Sequence, residues 1–326
     1  MKSQVLDHVL QENFLPATSI TYLVQGYMLN CRCEAKSQAT IDNYQYRLKC
    51  FVWFCQVNDY PAELQKLGVN HIRQFLWYLA SESNRWGSGN PSSGKPASQS
   101  TVNHYYRVLN TFFGWLKQEG FIPDNPVAYI KAPKIDHKVV PALTPNEVRR
   151  LLDACSSKSA LDVRNKAILS ILLDTGLRVS ELANLKLEDV DLNTGTILVR
   201  RGKGGKQRIV RIGSKAQKAL WRYVTIYRPR DTERLFLDRA GEPLDASGIK
   251  IMIRRLTKKT GVKVYGHKLR HTFSINYLRN GGDVFTLQYL LGHSTLQMTQ
   301  RYLQSLNSQD AINAHIRFSP LDNMNV

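Results

Sequence analysis

No stretch of the 326-residue chain approaches the roughly 18 consecutive apolar residues that a membrane-crossing helix needs. Nor does a basic-then-apolar leader open it. The expected location is the cytoplasm, with no membrane partner. Cysteine is scarce: Cys31, Cys33, Cys50, Cys55 and Cys155 are odd in number, which does not suit a disulfide framework. Cys31-Arg32-Cys33 has neither the spacing nor the companion histidine pair of a zinc site, so five buried thiols are expected and no structural metal. The Gly202-Lys203-Gly204-Gly205-Lys206 run is too short for a Walker loop and lacks its Lys-Ser/Thr end, which argues against nucleotide binding there. Internal repeats and sustained heptads are also missing.

Acidic residues are unevenly scarce. Residues 1–137 carry 13 Lys/Arg against 10 Asp/Glu, a net of +3, while residues 138–326 carry 32 against 16, a net of +16. A basic half beside a near-neutral one fits a polyanionic partner, and nucleic acid has that chemistry.

The apolar spacing is mostly helical. Ile20, Tyr22, Leu23 and Tyr27 begin one helix. A second follows Ser37 with Ile41, Tyr44, Leu48, Phe51, Val52 and Cys55, and a third spans residues 69–82. In Ser83–Ser98, 10 of 16 residues are Gly, Ser or Pro, which predicts a polar loop that does not pack. A fourth helix, Thr101–Lys117, places Val102, Tyr105, Leu109, Phe112, Phe113 and Leu116 on one face. These helices make a first domain over residues 1–137. From about residue 125 to Pro141, prolines and lysines read as a linker.

Thr144-Pro145-Asn146-Glu147 is a capping box with proline at the first helical position, and a second domain starts there, over residues 138–326. Helices from Asn146 and Leu161 lead to Thr175-Gly176-Leu177-Arg178-Val179-Ser180-Glu181-Leu182. Strands Thr196–Arg201 and Gln207–Ile212 flank the glycine-rich turn as a hairpin. All that follows reads as helix. Leu287, Leu290 and Leu291 stop at Gly292, and Ser294 with Gln297 predicts a cap on the next helix.

Gly266–Tyr302 concentrates the chemistry. His267 and Arg270, three apart, share a helix face. His293 falls at a helix junction and Tyr302 on the helix after it. His267 and His271 lack the glutamate that would make a metalloprotease pair. Thr175–Leu187 superficially resembles a helix-turn-helix, but a recognition helix rarely runs into a basic hairpin. Basic groups with one hydroxyl nucleophile and no carboxylate pair suit attack on a phosphodiester. A phenol in water ionises only near about pH 10, so Tyr302 needs a proton acceptor or a strong positive field. Arg178 and Arg270 can fork onto non-bridging oxygens and stabilise the charge that develops there.

Taken in order, Arg178, Lys203, His267, Arg270, His293 and Tyr302, with the stretches Thr-Gly-Leu-Arg-Val-Ser-Glu-Leu, Gly-Lys-Gly-Gly-Lys, His-Lys-Leu-Arg-His-Thr-Phe, Leu-Gly-His-Ser and Arg-Tyr, resemble the tyrosine recombinases. That family includes phage and transposon integrases, Xer resolvases and Cre. The resemblance runs from about Thr18 to the end; Lys268 departs from it where many relatives carry Asp. It implies a mainly α protein: an N-terminal helical core-binding (SAM-like) bundle plus a C-terminal mixed α/β catalytic domain with a small β-sheet, the DNA breaking-rejoining fold.

The resemblance further implies that Tyr302 forms a 3′-phosphotyrosine, Lys203 protonates the leaving 5′-oxygen, His267 serves the tyrosine as acid/base, and His293 donates to the phosphate. Neither cofactor, metal nor ATP is expected. The implied partner is a double-stranded DNA recombination site, with a tetramer assembled on it through the C-terminal tail, whose Ala311, Ile312, Ile316, Phe318 and Leu321 carry more apolar surface than a free end needs. Phe318-Ser319-Pro320-Leu321-Asp322-Asn323 resembles the tails of mobile-element recombinases, which favours an integrase or transposon recombinase. An Xer-type dimer resolvase and a topoisomerase-like nicking-closing enzyme are the alternatives that share these residues; a regulator that had lost the chemistry would not need Tyr302 and Lys203.

Overall fold

The computed structural model describes residues 19–61, 63–83, 85–87, 94–135, 140–157, 159–200, 207–229, 232–303, 305–306, 308–319 and 324. It divides into two compact units, one up to Lys138 and one from Val139.

In the first unit, helices α1 (Ile20–Cys33), α2 (Gln38–Val57), α3 (Val69–Ser81) and α4 (Gln99–Gln118) pack into a bundle. The starts of α1, α2 and α4 are fixed by serine caps: Ser19, Ser37 and Ser98 each accept a hydrogen bond from a first-turn amide. The bundle core is aromatic. Phe51 stands edge-on to Phe75 at 5.1 Å and Phe112 edge-on to Phe113 at 5.4 Å. Each such ring, fully removed from water, contributes about 1.5–3 kcal/mol.

Three expectations need correction here. The polar loop does pack through Trp86, whose ring lies 5.4 Å from Trp53 and 5.8 Å from Tyr78 and whose amide donates to the Tyr78 hydroxyl at 3.0 Å. One large aromatic outweighs many small polar neighbours in buried area. The first half of the presumed linker also belongs to the bundle: Val127 is fully buried, Tyr106 donates to the Ile130 carbonyl and Asn103 to that of Pro133. Lastly, Cys33 is exposed while the other four thiols are buried. Two positions after Cys31 on a helix is nearly the opposite face.

The second unit opens with α5 (Pro145–Asp153), whose box is made in both directions: the Thr144 amide donates to Glu147 Oε2 at 2.8 Å and the Glu147 amide to Thr144 Oγ1 at 3.2 Å. Helices α6 (Ala160–Thr175) and α7 (Val179–Ala183) follow. A three-stranded antiparallel sheet comes next, β1 (Val190–Asp191), β2 (Thr196–Val199) and β3 (Arg208–Arg211), in that order. Its first strand lies outside the hairpin expected, and the connecting turn, residues 201–206, lies outside the described residues.

Helix α8 (Ser214–Arg222) widens into a π-turn, Tyr223–Tyr227. The described residues between Arg228 and Asp245 are not helical, against expectation. Buried Arg228 holds it by donating to the carbonyls of Arg234 and Leu235, a tertiary arrangement that no local pattern announces. The all-helical remainder is α9 (Ala246–Thr260), α10 (Gly266–Arg279), α11 (Val284–Leu291), α12 (Leu296–Leu303) and α13 (Ser308–Phe318). The Ser294 cap is not made. Helix α12 begins at Leu296, and Ser294 Oγ points instead to Met298 Sδ at 3.9 Å.

The architecture is therefore a helical bundle followed by a mainly helical unit with a small sheet, as expected. Among the described residues no helix is long and apolar enough to cross a membrane.

Candidate active site

Two glycines let the backbone close around the site. Gly176 ends α6 in the left-handed region at φ 62°, and a Cβ there would meet Phe273 at 2.4 Å. Its carbonyl accepts from Arg270 Nη1 at 2.8 Å. Gly266 starts α10, where a Cβ would lie 2.3 Å from Val179 Cγ2. A side chain at Gly266 would push the helix carrying His267 and Arg270 away from the residue after Arg178.

Arg270 is buried at 3 % exposure. Besides Gly176, it donates through Nη2 to the Leu291 carbonyl at 2.7 Å and reaches His293 Nε2 at 2.9 Å. Burial lowers its pKa to about 10, with the charge of Arg178 adding to the effect and the Tyr302 oxygen and Glu181 opposing it. It remains a cation at neutral pH.

His293 sits just past the left-handed Gly292 that stops α11. Burial, then Arg270, Arg178, Arg208 and His267, depress its imidazole to about 4. Its other nitrogen, Nδ1, lies 2.8 Å from Thr299 Oγ1. Tyr302, on α12, is 6 % exposed within a cluster of Phe273, Ile275, Leu287 and Leu291. The His293 ring stacks parallel to it at 6.1 Å, and the His271 ring lies tilted at 5.5 Å. His267 lies on the exposed side of α10; partial desolvation and the charges of Arg270 and Arg178 hold it below the ordinary histidine range.

Arg178 lies before α7, its amide and Nη1 both bonded to the Glu181 carboxylate at 2.8 Å. The same carboxylate takes two bonds from buried Arg208, Nη2 at 2.7 Å and Nη1 at 3.1 Å. Burial pushes the Glu181 carboxyl up, but the bonds from Arg208 and Arg178 outweigh it and hold it below its usual range.

Arg178, His267, Arg270, His293 and Tyr302 thus converge, while Lys203 lies outside the described residues. Glu181, Arg208 and Thr299 were not singled out from the sequence. The clue for Arg208 was in β3: Arg208 and Val210 face inward while Ile209 is exposed, so an arginine holds a core position and demands a carboxylate. No group of histidines, cysteines or carboxylates among the described residues could hold a metal ion.

A buried cationic pocket closed around a tyrosine, on this fold, defines a class of enzymes that cut and rejoin phosphodiesters through a tyrosine. Comparison with known proteins gives the same answer. Residues 141–309 match the phage integrase family and residues 23–121 match the phage integrase N-terminal SAM-like domain. The tyrosine recombinase XerC of Oceanobacillus iheyensis is 35% identical over 275 residues, 82% of this chain and 85% of that protein. The crystal structure of XerA recombinase is 31% identical with a TM-score of 0.50, covering 92% of this chain and 99% of that one. The Tn1549 transposon integrase, solved with a circular intermediate DNA, has a TM-score of 0.68 at 22% identity, covering 91% of this chain and 99% of that one. At that identity the likeness concerns fold. The chain belongs to the phage integrase family, and it is a tyrosine site-specific recombinase.

Proposed function

We propose that the protein cleaves and rejoins double-stranded DNA at a recombination site through a 3′-phosphotyrosine on Tyr302 and a Holliday junction. The reading is carried by one observation: a tyrosine held against the buried guanidinium of Arg270 and beside His293. Arg178 and Arg270 stabilise the charge on the phosphorus oxygens in the transition state. His293 donates to the same phosphate and His267 exchanges the tyrosine proton. Lys203 protonates the leaving 5′-oxygen, a role taken from family resemblance. The free 5′-hydroxyl then attacks the phosphotyrosine of a partner strand, and the phosphodiester energy is conserved without ATP or metal.

The first unit serves as the core-binding domain and the second as the catalytic domain. Four copies assemble on two sites, with α13 of each docked on its neighbour, a head-to-tail contact that closes only as a ring. The apolar side chains of Ile312, Ile316 and Phe318, all exposed, support that docking.

Service to a mobile element is the role favoured by the tail sequence Phe318–Asn323, part of which lies outside the described residues. The Xer names of relatives such as XerC favour a second reading, a chromosome-dimer resolvase. Trapping the protein covalently on genomic DNA and sequencing what is attached tests both. Reads at the ends of an element support the first role and reads at one chromosomal locus the second. No covalent adduct at all would refute the chemistry.

A further inference from the structure

Thr299 is fully buried on α12, three residues before Tyr302. Its hydroxyl contacts Nδ1 of His293 at 2.8 Å, while Nε2 of the same ring is 2.9 Å from an Arg270 guanidinium nitrogen. A guanidinium has donors only, so Nε2 must accept from it. The neutral ring therefore carries its proton on Nδ1 and donates to Thr299 Oγ1. In this tautomer nothing on the Arg270 side of the ring can donate to a phosphate. Protonating Nε2 as well would supply a donor, but burial of the ring opposes it, and so do the cations around it: His267 and Arg270 on α10, Arg178 before α7 and Arg208 on β3. Tyr302 on α12 adds a parallel ring but no charge of its own while it carries its proton.

We propose that Thr299 is a positioning residue that holds the His293 ring in place through a change of tautomer, accepting from Nδ1 in the free protein and donating to Nδ1 when a phosphate occupies the site. This rests on the reading of His293 as a phosphate donor. A hydroxyl exchanges the two roles by turning about one bond, which neither a carbonyl nor an ammonium can do. When the phosphate takes the Arg270 N–H now directed at Nε2, the ring loses a proton from Nδ1 and gains one at Nε2, both exchanged with water. Thr299 Oγ1–H then satisfies the Nδ1 lone pair. The ring is neutral before and after, so the arginines never face an added charge. The threonine thus acts through His293 and never touches the substrate.

The test is the rate of covalent adduct formation on a suicide DNA substrate as a function of pH, with the full chain and its Thr299→Ser and Thr299→Val variants. Thr299→Ser keeps the hydroxyl and should stay within a few-fold of the parent. Thr299→Val keeps the shape and removes the hydroxyl. It should be slowed about 10- to 100-fold near neutral pH, the usual effect of losing a group that orients a reacting residue. Its rate should recover in part as pH falls, because an imidazolium donates from Nε2 whichever tautomer the neutral ring prefers. A Thr299→Val profile parallel to the parent's, at whatever level, overturns the proposal. A ¹⁵N spectrum of His293 in the unsubstituted free protein tests it without any variant: Nδ1–H is expected, and an Nε2–H ring overturns it. His293→Ala separates the two readings. If it forms adduct at the parent rate, the phosphate-donor role fails and the Thr299 role fails with it. If it is slow while Thr299→Val matches the parent, only the Thr299 role fails.

Discussion

Glu181 and Arg208 meet in a buried two-pronged ion pair, with side-chain exposures of 3% and 4%. The same carboxylate holds Arg178. One anion therefore fixes a cation of the candidate site and also ties down β3, which follows the stretch containing Lys203. Removing one member of a buried pair leaves the other charge unpaired, typically a loss of about 3–5 kcal/mol. Glu181→Gln, which keeps the shape, should destabilise the second unit on that scale and slow cleavage. Urea unfolding of the full chain measures the first; a loss under about 1 kcal/mol would mean that water already compensates these arginines.

Tyr302→Phe should abolish the covalent adduct and leave site binding nearly unchanged. The ring stays to fill its cluster with Phe273 and Leu287, and only the oxygen is lost. A denaturing gel with a suicide substrate reads the adduct and a mobility-shift assay the binding. Adduct of normal yield would remove Tyr302 from the chemistry.

Much of this was legible in the sequence because it is local. The Thr144 cap, the helix that follows Ser37 and the glycine stop at Gly292 each depend on a few neighbouring residues, and all are present. The ordered cations and the tyrosine were legible for another reason: a demanding chemistry restricts which residue types can serve. What was missed is tertiary. Glu181 is three residues from Arg178, a spacing that could have suggested a pair, yet its second partner Arg208 is 27 positions away. Trp86 was hidden by the composition of its loop. The Ser294–Gln297 pattern failed because its hydroxyl found a sulfur rather than a backbone amide.

Acid should weaken the fold through His293 before it reaches the carboxylates. In the native protein this imidazole has a pKa of about 4, against 6.5 when unperturbed. Between those values the unfolded chain binds a proton that the folded chain refuses. Stability therefore rises with pH across this window and falls as pH drops from 6.5 toward 4. His267 and His271, also lowered, act in the same direction. Unfolding midpoints at neutral pH and at about pH 5 should differ less in His293→Gln than in the parent. Equal differences would show that His293 is as easily protonated in the fold as out of it.

Binding to duplex DNA should be steeply salt-dependent, because the +16 of residues 138–326 must displace condensed counterions. With roughly six to ten phosphate contacts, affinity should fall about 10³- to 10⁵-fold between about 50 and 200 mM salt. A salt titration of the full chain decides it. A flat profile would contradict phosphate contact by this half of the protein.

The tail makes the sharpest demand. Helix α13 is tied to its own unit by Arg279, whose Nε and Nη2 donate to the two oxygens of Asp310 at 3.0 and 3.3 Å. Arg279 is 40% exposed there and Asp310 15%, so the pair is half-buried. The apolar side chains meanwhile face solvent, Ile316 at 71% exposure and Phe318 at 58%. Among the described side chains of α13, Ile312, Ile316 and Phe318 are exposed while Asp310 is largely covered. Transfer of α13 to a neighbouring copy would break the Arg279–Asp310 pair and cover Ile312, Ile316 and Phe318, at about 25 cal/mol for each Å² removed from water. Deleting residues 307–326 should spare binding to a single half-site and remove cooperative binding and recombination. Replacing Ile312 and Ile316 together by Ser should do the same with the ion pair left in place. Gel-shift isotherms on one and two half-sites, with a two-site recombination assay, measure each step. A truncated protein that still recombines two sites at normal efficiency would rule out the tail as the coupling element.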